Sequence, residues 1–393
     1  MAIEGRSDAA TGRRIKLGMV GGGEGAFIGA VHRLAARMDD HYEFVAGALS
    51  STPERSRRSG EALGLPRDRI YDDYLSMAKA EAARPDGIEA VAIVTPNAMH
   101  AGPILAFLAA SAHVICDKPL TTSLAEARAI KTAVKKSGRV FALTHNYTGY
   151  PLVRRAREMV KAGELGEIRI VQAEYPQEWL TEAIEKQGQK QAEWRVDPAR
   201  SGTGGALGDI GTHAYNLADY VCGVDLVELA ADLSSFGAGR VLDDNAQIML
   251  RYANGARGAI WLSQVAPGHE NGLKLRVYGT KGSLQWAQEN PNELLHSPFG
   301  EPTRILTRGG PGAGAAAARA TRVPSGHPEG YLEAFANLYS DVALAIKAAR
   351  SGEKPPDGAH FPGVEDGVKG MAFIEAAVQS SKANGKWVKP AGA

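Results

Sequence analysis

Lys118 stands at the end of a short apolar run, Val114-Ile115-Cys116-Asp117-Lys118-Pro119-Leu120. An ammonium at such a tip can donate to a hydroxyl or carbonyl oxygen, and its charge lowers the pKa of a nearby hydroxyl. Pro119 restricts the backbone just after it, and an X–Pro bond can be cis. The plain alternative is a surface lysine paired with Asp117. A second set of reactive groups lies in "GGALGDIGTHAYNLADYV" (204–221), where Asp209 and His213 are four residues apart and so neighbours on a helix. Imidazole titrates near neutrality, and an acid beside it fixes its tautomer and orientation. Lysine, aspartate and histidine together suit removal of a proton from an alcohol. A helical Asp/His pair at a surface would do none of this.

Other residues could line a site around them. Trp194 offers a flat face to a sugar-like ring, and Arg195 a fork for oxygen atoms. Asn146, Tyr147 and His327 add donors and acceptors. A packed tryptophan and a capping segment are the structural alternatives. No C-x-x-C or H-E-x-x-H spacing suggests a metal, and no P-loop or G-x-S-x-G motif occurs. The proposed lining lacks the arginine cluster that a phosphorylated sugar would invite, so a neutral polyol is expected, with a sugar acid still open through Arg195.

These groups need elements to position them. From residue 14 to 148, short apolar runs at 15–21, 43–50, 88–95, 112–118 and 139–146 alternate with helical stretches near 29–39, 53–63, 73–83, 100–111 and 123–137. The runs do not alternate polar and apolar, which suits strands buried on both faces of a doubly wound parallel sheet. The first run enters "GGGEGAFIGAVH". Gly21 and Gly23 have G-x-G spacing; Ala26 completes G-x-G-x-x-A, with Phe27 and Ile28 following, while Gly29 is a second candidate for helix packing. Such a turn brings a pyrophosphate to a helix N-terminus. After the second run, Ser50, Ser51 and Arg55 stand where an acid would favour NAD, so the cofactor is expected to be NAD or NADP, leaning to NADP. "TPNAMH" ends the next strand; Thr95, Pro96, Asn97 and His100 are placed to meet the cofactor, and His100 could otherwise cap a helix or stay in solvent.

Beyond 149 the pattern changes. A helix (150–162) and a strand (168–175) lead through a polar segment to the helix 204–222. Runs from 225 to 287, with a "YANGA" hairpin signal, imply a mostly antiparallel sheet. "GGPGAGAAAARA" (309–320) reads as a mobile surface loop, and helices near 329–350 and 364–384 close the chain. The 393 residues suit two domains, at 14–148 and 149–393. A net charge of +1, from 45 basic and 44 acidic residues, argues against nucleic acid or a membrane as partner. Cys116 and Cys222 alone make no disulfide framework, which fits a reducing cytoplasm. "MAIEGRSDAATGRR" lacks the apolar core of a signal peptide, and its "IEGR" is also a protease-recognition string.

In this order, "GMVGGG", "TPNAMH", "CDKPL", "GELGEI" and "GDIGTHAYN" resemble the glucose–fructose oxidoreductase / inositol dehydrogenase / rhizopine catabolism family of NAD(P)-dependent oxidoreductases, from about residue 15 to "WVKP". The resemblance implies a Rossmann domain followed by an α/β domain with a large open sheet. It gives Lys118, Asp209 and His213 catalytic roles, with Tyr147, Arg195 and His327 toward substrate. It also implies cofactor contacts from Asp117, Lys118, Asn146, Trp194 and Arg195. Hydride would pass between the nicotinamide and a ring hydroxyl of a sugar, glycoside or inositol. A glycosidase of the same fold using NAD transiently, and a non-catalytic sugar or dinucleotide sensor, are the alternatives. An open sheet face suggests a homo-dimer or homo-tetramer.

Overall fold

The computed structural model describes residues 13–392. The signal-peptide and "IEGR" readings of residues 1–12 lie outside them. Two compact units divide the chain. The first runs from the start of the described chain to Thr121, resumes at Ala125–Gly149 and is completed by Tyr331–Gly367. Its five parallel strands are β1 (Ile15–Gly21), β2 (Tyr42–Ala48), β3 (Ala90–Val94), β4 (His113–Cys116) and β5 (Phe141–Leu143), ordered β2-β1-β3-β4-β5. A parallel bridge from Gly47 to Ile70 adds the rudiment of another strand outside β2. β3 and β4 are buried throughout, as continuous apolar runs between two helical layers must be.

Helices α1 (Phe27–Met38), α2 (Pro53–Ala62), α3 (Tyr74–Ala83), α4 (Ala101–Ala109) and α5 (Leu124–Ser137) connect the strands. Asp73 starts α3 by accepting from the amides of Leu75 and Ser76. The late helix Tyr331–Ser351 packs against α1, burying Phe335, Tyr339, Val342 and Ile346 in the same core as Leu17 and Met19. A single cut at 148/149 therefore divides the chain differently from the structure, which returns residues 331–367 to the first unit. Gly149 is the docking point: a Cβ there would lie 2.1 Å from the Ala334 carbonyl oxygen, and Asn337 Nδ2 donates to the Gly149 carbonyl at 2.8 Å.

The second unit holds an eight-stranded sheet of β6 (Ile168–Pro176), β7 (Leu226–Ser234), β8 (Asn245–Tyr252), β9 (Arg257–Ser263), β10 (Lys274–Gly279), β11 (Gly282–Ala287), β12 (Glu293–Pro298) and β13 (Arg304–Thr307). Their order is β13-β12-β11-β10-β6-β9-β8-β7, antiparallel except for β6 beside β9. The hairpin expected at "YANGA" joins β8 to β9, with Gly255 at φ +88° and Asn254 Oδ1 accepting from the Ala256 amide. Helices Pro151–Lys161 and Thr212–Cys222 cover one face, and Trp286 is buried there against Tyr150 at 5.2 Å. Ile170, Met249 and Tyr278 point from the other face and stay exposed.

Three details depart from expectation. The supposed loop at 309–320 contains a helix, Gly314–Ala320, whose Ala317 and Ala320 are fully buried against Pro151–Lys161. Alanine is the best helix former and small enough for close packing, which outweighs low complexity. β12 and β13 lie beyond the strand region read from the sequence, 225–287. The helix expected from 204 begins with a wide turn, Leu207–Gly211, in which the Thr212 amide reaches the Leu207 carbonyl. No helix among the described residues is long and apolar enough to cross a membrane.

Candidate active site

The glycine turn shows what its sequence is for. Gly21 and Gly22 have φ of +79° and +73°, a region that strongly favours glycine. A Cβ on Gly29 would lie 2.4 Å from the Gly22 backbone, so Gly29 lets α1 close onto the turn. Of the two candidates, Gly29 takes the packing role, and Gly22 is a partner missed in the sequence. A Cβ on Gly23 would strike the Leu49 carbonyl and the Ser59 hydroxyl at 2.6 Å. α1 begins after Ala26 without a side-chain cap, leaving the amides of Phe27 and Ile28 at a helix N-terminus. This glycine cradle and helix start fit a dinucleotide pyrophosphate. Ser50 is half-buried and Ser51 exposed at the end of β2. Arg55 donates to the Glu24 carbonyl at 3.1 Å, and Arg58 stands 3.5 Å from the Glu24 carboxylate.

Beyond β3, Thr95, Pro96 and the buried Asn97 form a tight turn. His100 does not cap α4 as expected. Its buried ring spans two backbone carbonyls, with Nδ1 2.8 Å from Pro119 O and Nε2 2.9 Å from Thr95 O. It thus ties the β3 turn to the segment carrying Lys118. The Lys118–Pro119 bond is cis.

Asp117 receives the Thr144 hydroxyl at 2.9 Å, and His32 Nε2 stands 3.8 Å away, beyond hydrogen-bond reach. Burial raises its carboxyl pKa, but the neighbouring His32, Lys118 and His100 outweigh it and hold the carboxyl below its usual range. His32 Nδ1 in turn meets the Tyr339 hydroxyl at 2.8 Å. His145 sits nearby at the end of β5; burial, then the Lys118 charge, lowers its pKa to about 3, so it stays neutral. Sequence reasoning missed His32, His145 and Tyr339; "LTHN" at a strand end was the signal available for His145. Asn146 and Tyr147 follow and are buried. The Asn146 side-chain nitrogen has no hydrogen-bond partner among the described residues, as a donor kept for a ligand would have.

The second unit gathers Trp194, Arg195, Asp209 and His213. Arg195 Nε donates to Asp209 Oδ2 at 3.0 Å, and Gln264 Nε2 donates to the same oxygen at 2.9 Å. The guanidinium lies 4.3 Å from the Trp194 ring centre and 5.7 Å from that of Trp179. Amides continue the chain: Gln264 reaches Gln177 Oε1 at 3.4 Å, Gln177 Nε2 donates to Asn271 Oδ1 at 2.8 Å, and the Tyr175 hydroxyl donates to that atom at 2.7 Å. The Tyr175 ring centre is 6.5 Å from that of His213. Gly211 packs close to β9, where a Cβ would meet the end of the Leu262 side chain at 2.7 Å. Gln177, Gln264 and Asn271 carried no local motif. His327 does not join the group. Its side chain is exposed on a turn held through its backbone carbonyl by Arg308.

Comparisons with known proteins agree with this geometry. Residues 15–145 match the family model of the oxidoreductase family with an NAD-binding Rossmann fold, and 153–285 match the GFO/IDH/MocA C-terminal domain. The uncharacterized oxidoreductase YfiI of Bacillus subtilis is 36% identical over 95% of this chain and 96% of its own. Levoglucosan dehydrogenase of Pseudarthrobacter phenanthrenivorans is 29% identical over 72% of this chain and 76% of its own. Among solved structures, an oxidoreductase from Sinorhizobium meliloti is 56% identical with a TM-score of 0.88, covering 96% of this chain and all of that one. An inositol dehydrogenase homolog from Azotobacter vinelandii, complexed with NADH and myo-inositol, is 38% identical with a TM-score of 0.88, over 96% of this chain and 98% of its own.

Proposed function

This chain belongs to the GFO/IDH/MocA family of NAD-binding oxidoreductases, and within it we propose a dehydrogenase that exchanges hydride between a nicotinamide dinucleotide and a ring hydroxyl of a neutral sugar, glycoside or inositol. One observation carries the substrate class. Arg195 is already matched by the Asp209 carboxylate and flanked by two indoles, so it makes a poor receptor for a substrate carboxylate. The groups around it, Gln177, Gln264, Asn271 and Tyr175, are neutral donors and acceptors suited to hydroxyls. The names of levoglucosan dehydrogenase and of the inositol dehydrogenase homolog point the same way.

In this reading His213 takes the hydroxyl proton while Lys118 stabilises the oxygen as it gains charge. Asp209 orients its neighbours and balances Arg195. General base action is typically worth about 10²–10⁴-fold. The dinucleotide, when bound, accepts or returns the hydride; the chain's own residues bind, orient and move the proton. Gly21, Gly23, Ala26, Phe27 and Ile28 would hold its pyrophosphate, and Thr95, Pro96, Asn97 and Asn146 its nicotinamide half. NADP is the preferred form, because no carboxylate occupies 50–52 and Arg55 stands exposed where a 2′-phosphate would lie. Glu24, engaging both Arg55 and Arg58, is the group that opposes it. The open sheet face with Ile170, Met249 and Tyr278 would join copies of the chain into a dimer or tetramer.

A panel of inositols, levoglucosan, neutral hexoses, sugar acids and sugar phosphates, assayed with NAD and NADP separately, tests this. Reduced nicotinamide should accumulate with neutral polyols, with a higher kcat/KM for NADP. Turnover confined to sugar acids or phosphates would overturn the substrate class, and a kcat/KM ratio favouring NAD would overturn the cofactor preference.

A further inference from the structure

We propose that Asp243, just before β8, is a positioning residue for hydride transfer: it sets the start of the helical segment that carries Asp209 and His213. The inference rests on the roles given to those two residues above. Asp243 engages three successive amides. Its carboxylate oxygens accept from Gly205 and Leu207 at 2.7 Å each, and its backbone carbonyl accepts from Ala206 at 2.8 Å. These are first-turn donors that the helix itself cannot satisfy. The approach is close enough to demand glycine, since a Cβ on Gly205 would lie 2.2 Å from the Asp243 carbonyl oxygen. One turn on, the Asp209 amide donates to the Gly205 carbonyl at 3.0 Å. A shift of the segment at 205–207 is thereby passed directly to Asp209.

The following residue grips Asp209 from its other end. The Asp244 carbonyl accepts the Gln264 amide at 2.8 Å, and Gln264 Nε2 holds the Asp209 carboxylate. Asp244 is itself fixed: its carboxylate accepts from the amides of Phe236 and Gly237 and from Arg240, which also pairs with Glu185. The dipeptide Asp243-Asp244 therefore positions Asp209 through its backbone and through its side chain. Burial raises the Asp243 carboxyl to about 6, against the opposing pull of the Leu207, Gly205 and its own backbone amides, and the Asp244 charge adds to the rise. Lys382 lines the same small recess as Asp243.

The ionised carboxylate accepts strongly from both amides at once, and protonation weakens the acceptor at one oxygen; an asparagine offers one acceptor oxygen and sets an NH2 against the other amide. Misplacing a catalytic group by about 1 Å can cost about 10²-fold. Asp243→Asn should lower kcat by about tenfold or more with the dinucleotide Kd unchanged, and should enlarge the isotope effect of a substrate deuterated at the reacting carbon. The wild-type kcat should also fall below pH about 6 along a limb that the variant lacks. A folded D243N with kcat within about twofold of wild type and the same isotope effect would overturn the proposal. If that variant does not fold, hydrogen exchange on the wild type decides: slow exchange at Gly205, Ala206 and Leu207 supports it, and free exchange there defeats it. His213→Ala, measured alongside, separates the two ideas. Retained turnover in H213A removes the role of His213; lost turnover in H213A with an unaffected D243N removes that of Asp243 alone.

Discussion

Asn146 keeps a buried amide nitrogen without a partner among the described residues. Such a group destabilises the protein by itself and is explained by a ligand that accepts from it. Asn146→Ala should therefore weaken dinucleotide binding about 3- to 10-fold, the worth of one ordinary hydrogen bond, while the urea midpoint stays level or rises. Unchanged affinity with a lower midpoint, by titration and denaturation, would make Asn146 structural. At this scale the sequence was readable where chemistry and spacing coincide in one short stretch. Lys118 at a strand tip and Asp209 with His213 four residues on are such cases. Gln264, Asp243, His32 and Tyr339 were not readable, because each meets its partner from a distant segment and carries no local signature. His327 has suggestive neighbours in the chain, but its side chain is exposed on a turn.

The elements around β4 carry a pH dependence. His113 Nδ1 accepts the Val140 amide at 2.9 Å, and burial, then the Arg139 charge, lowers its pKa to about 4. His145 behaves likewise, at about 3. Both are neutral when folded and bind a proton near pH 6.5 when unfolded, so the unfolded state holds more protons below that pH. Stability is complete above about pH 6.5 and declines as pH falls toward 4, by up to about 1.4 kcal/mol per pH unit for each group. Urea midpoints between pH 7 and 4.5 should show the decline. His113→Gln, which keeps an acceptor for Val140, should make it shallower; an identical slope would contradict the assignment. The elements themselves were legible because continuous apolar runs and alternating ones differ plainly. The helix at Gly314–Ala320 was hidden because burial of its alanines depends on a helix over 150 residues earlier.

For the molecule as a whole, two units could be foreseen from length and from the change of pattern near 150. The return of Tyr331–Gly367 to the first unit could not, since apolar helix faces do not name the sheet they cover. The open face of the large sheet, where Ile170 pairs across to Tyr278 and Met249 lies two strands away from β6, sets these exposed apolar side chains among charged ones such as Glu174, Lys274 and Arg276, and the assembly proposed for it can be tested directly. Sedimentation should find wild-type dimers or tetramers, and the double variant Ile170→Glu, Met249→Glu should sediment as a monomer. A monomeric wild type would contradict the assembly.

The central claim is that Lys118 and His213 serve one hydride transfer from a neutral polyol. It is tested most directly by single-turnover formation of reduced nicotinamide from an active polyol, protiated and deuterated at the reacting carbon, in wild type, Lys118→Ala and His213→Ala. A primary isotope effect in the wild type is expected, with both variants slowed by about 10²-fold or more while still binding the dinucleotide. Either variant transferring hydride at the wild-type rate, or reduced nicotinamide forming without an isotope effect on a step shown to be chemistry, would contradict it.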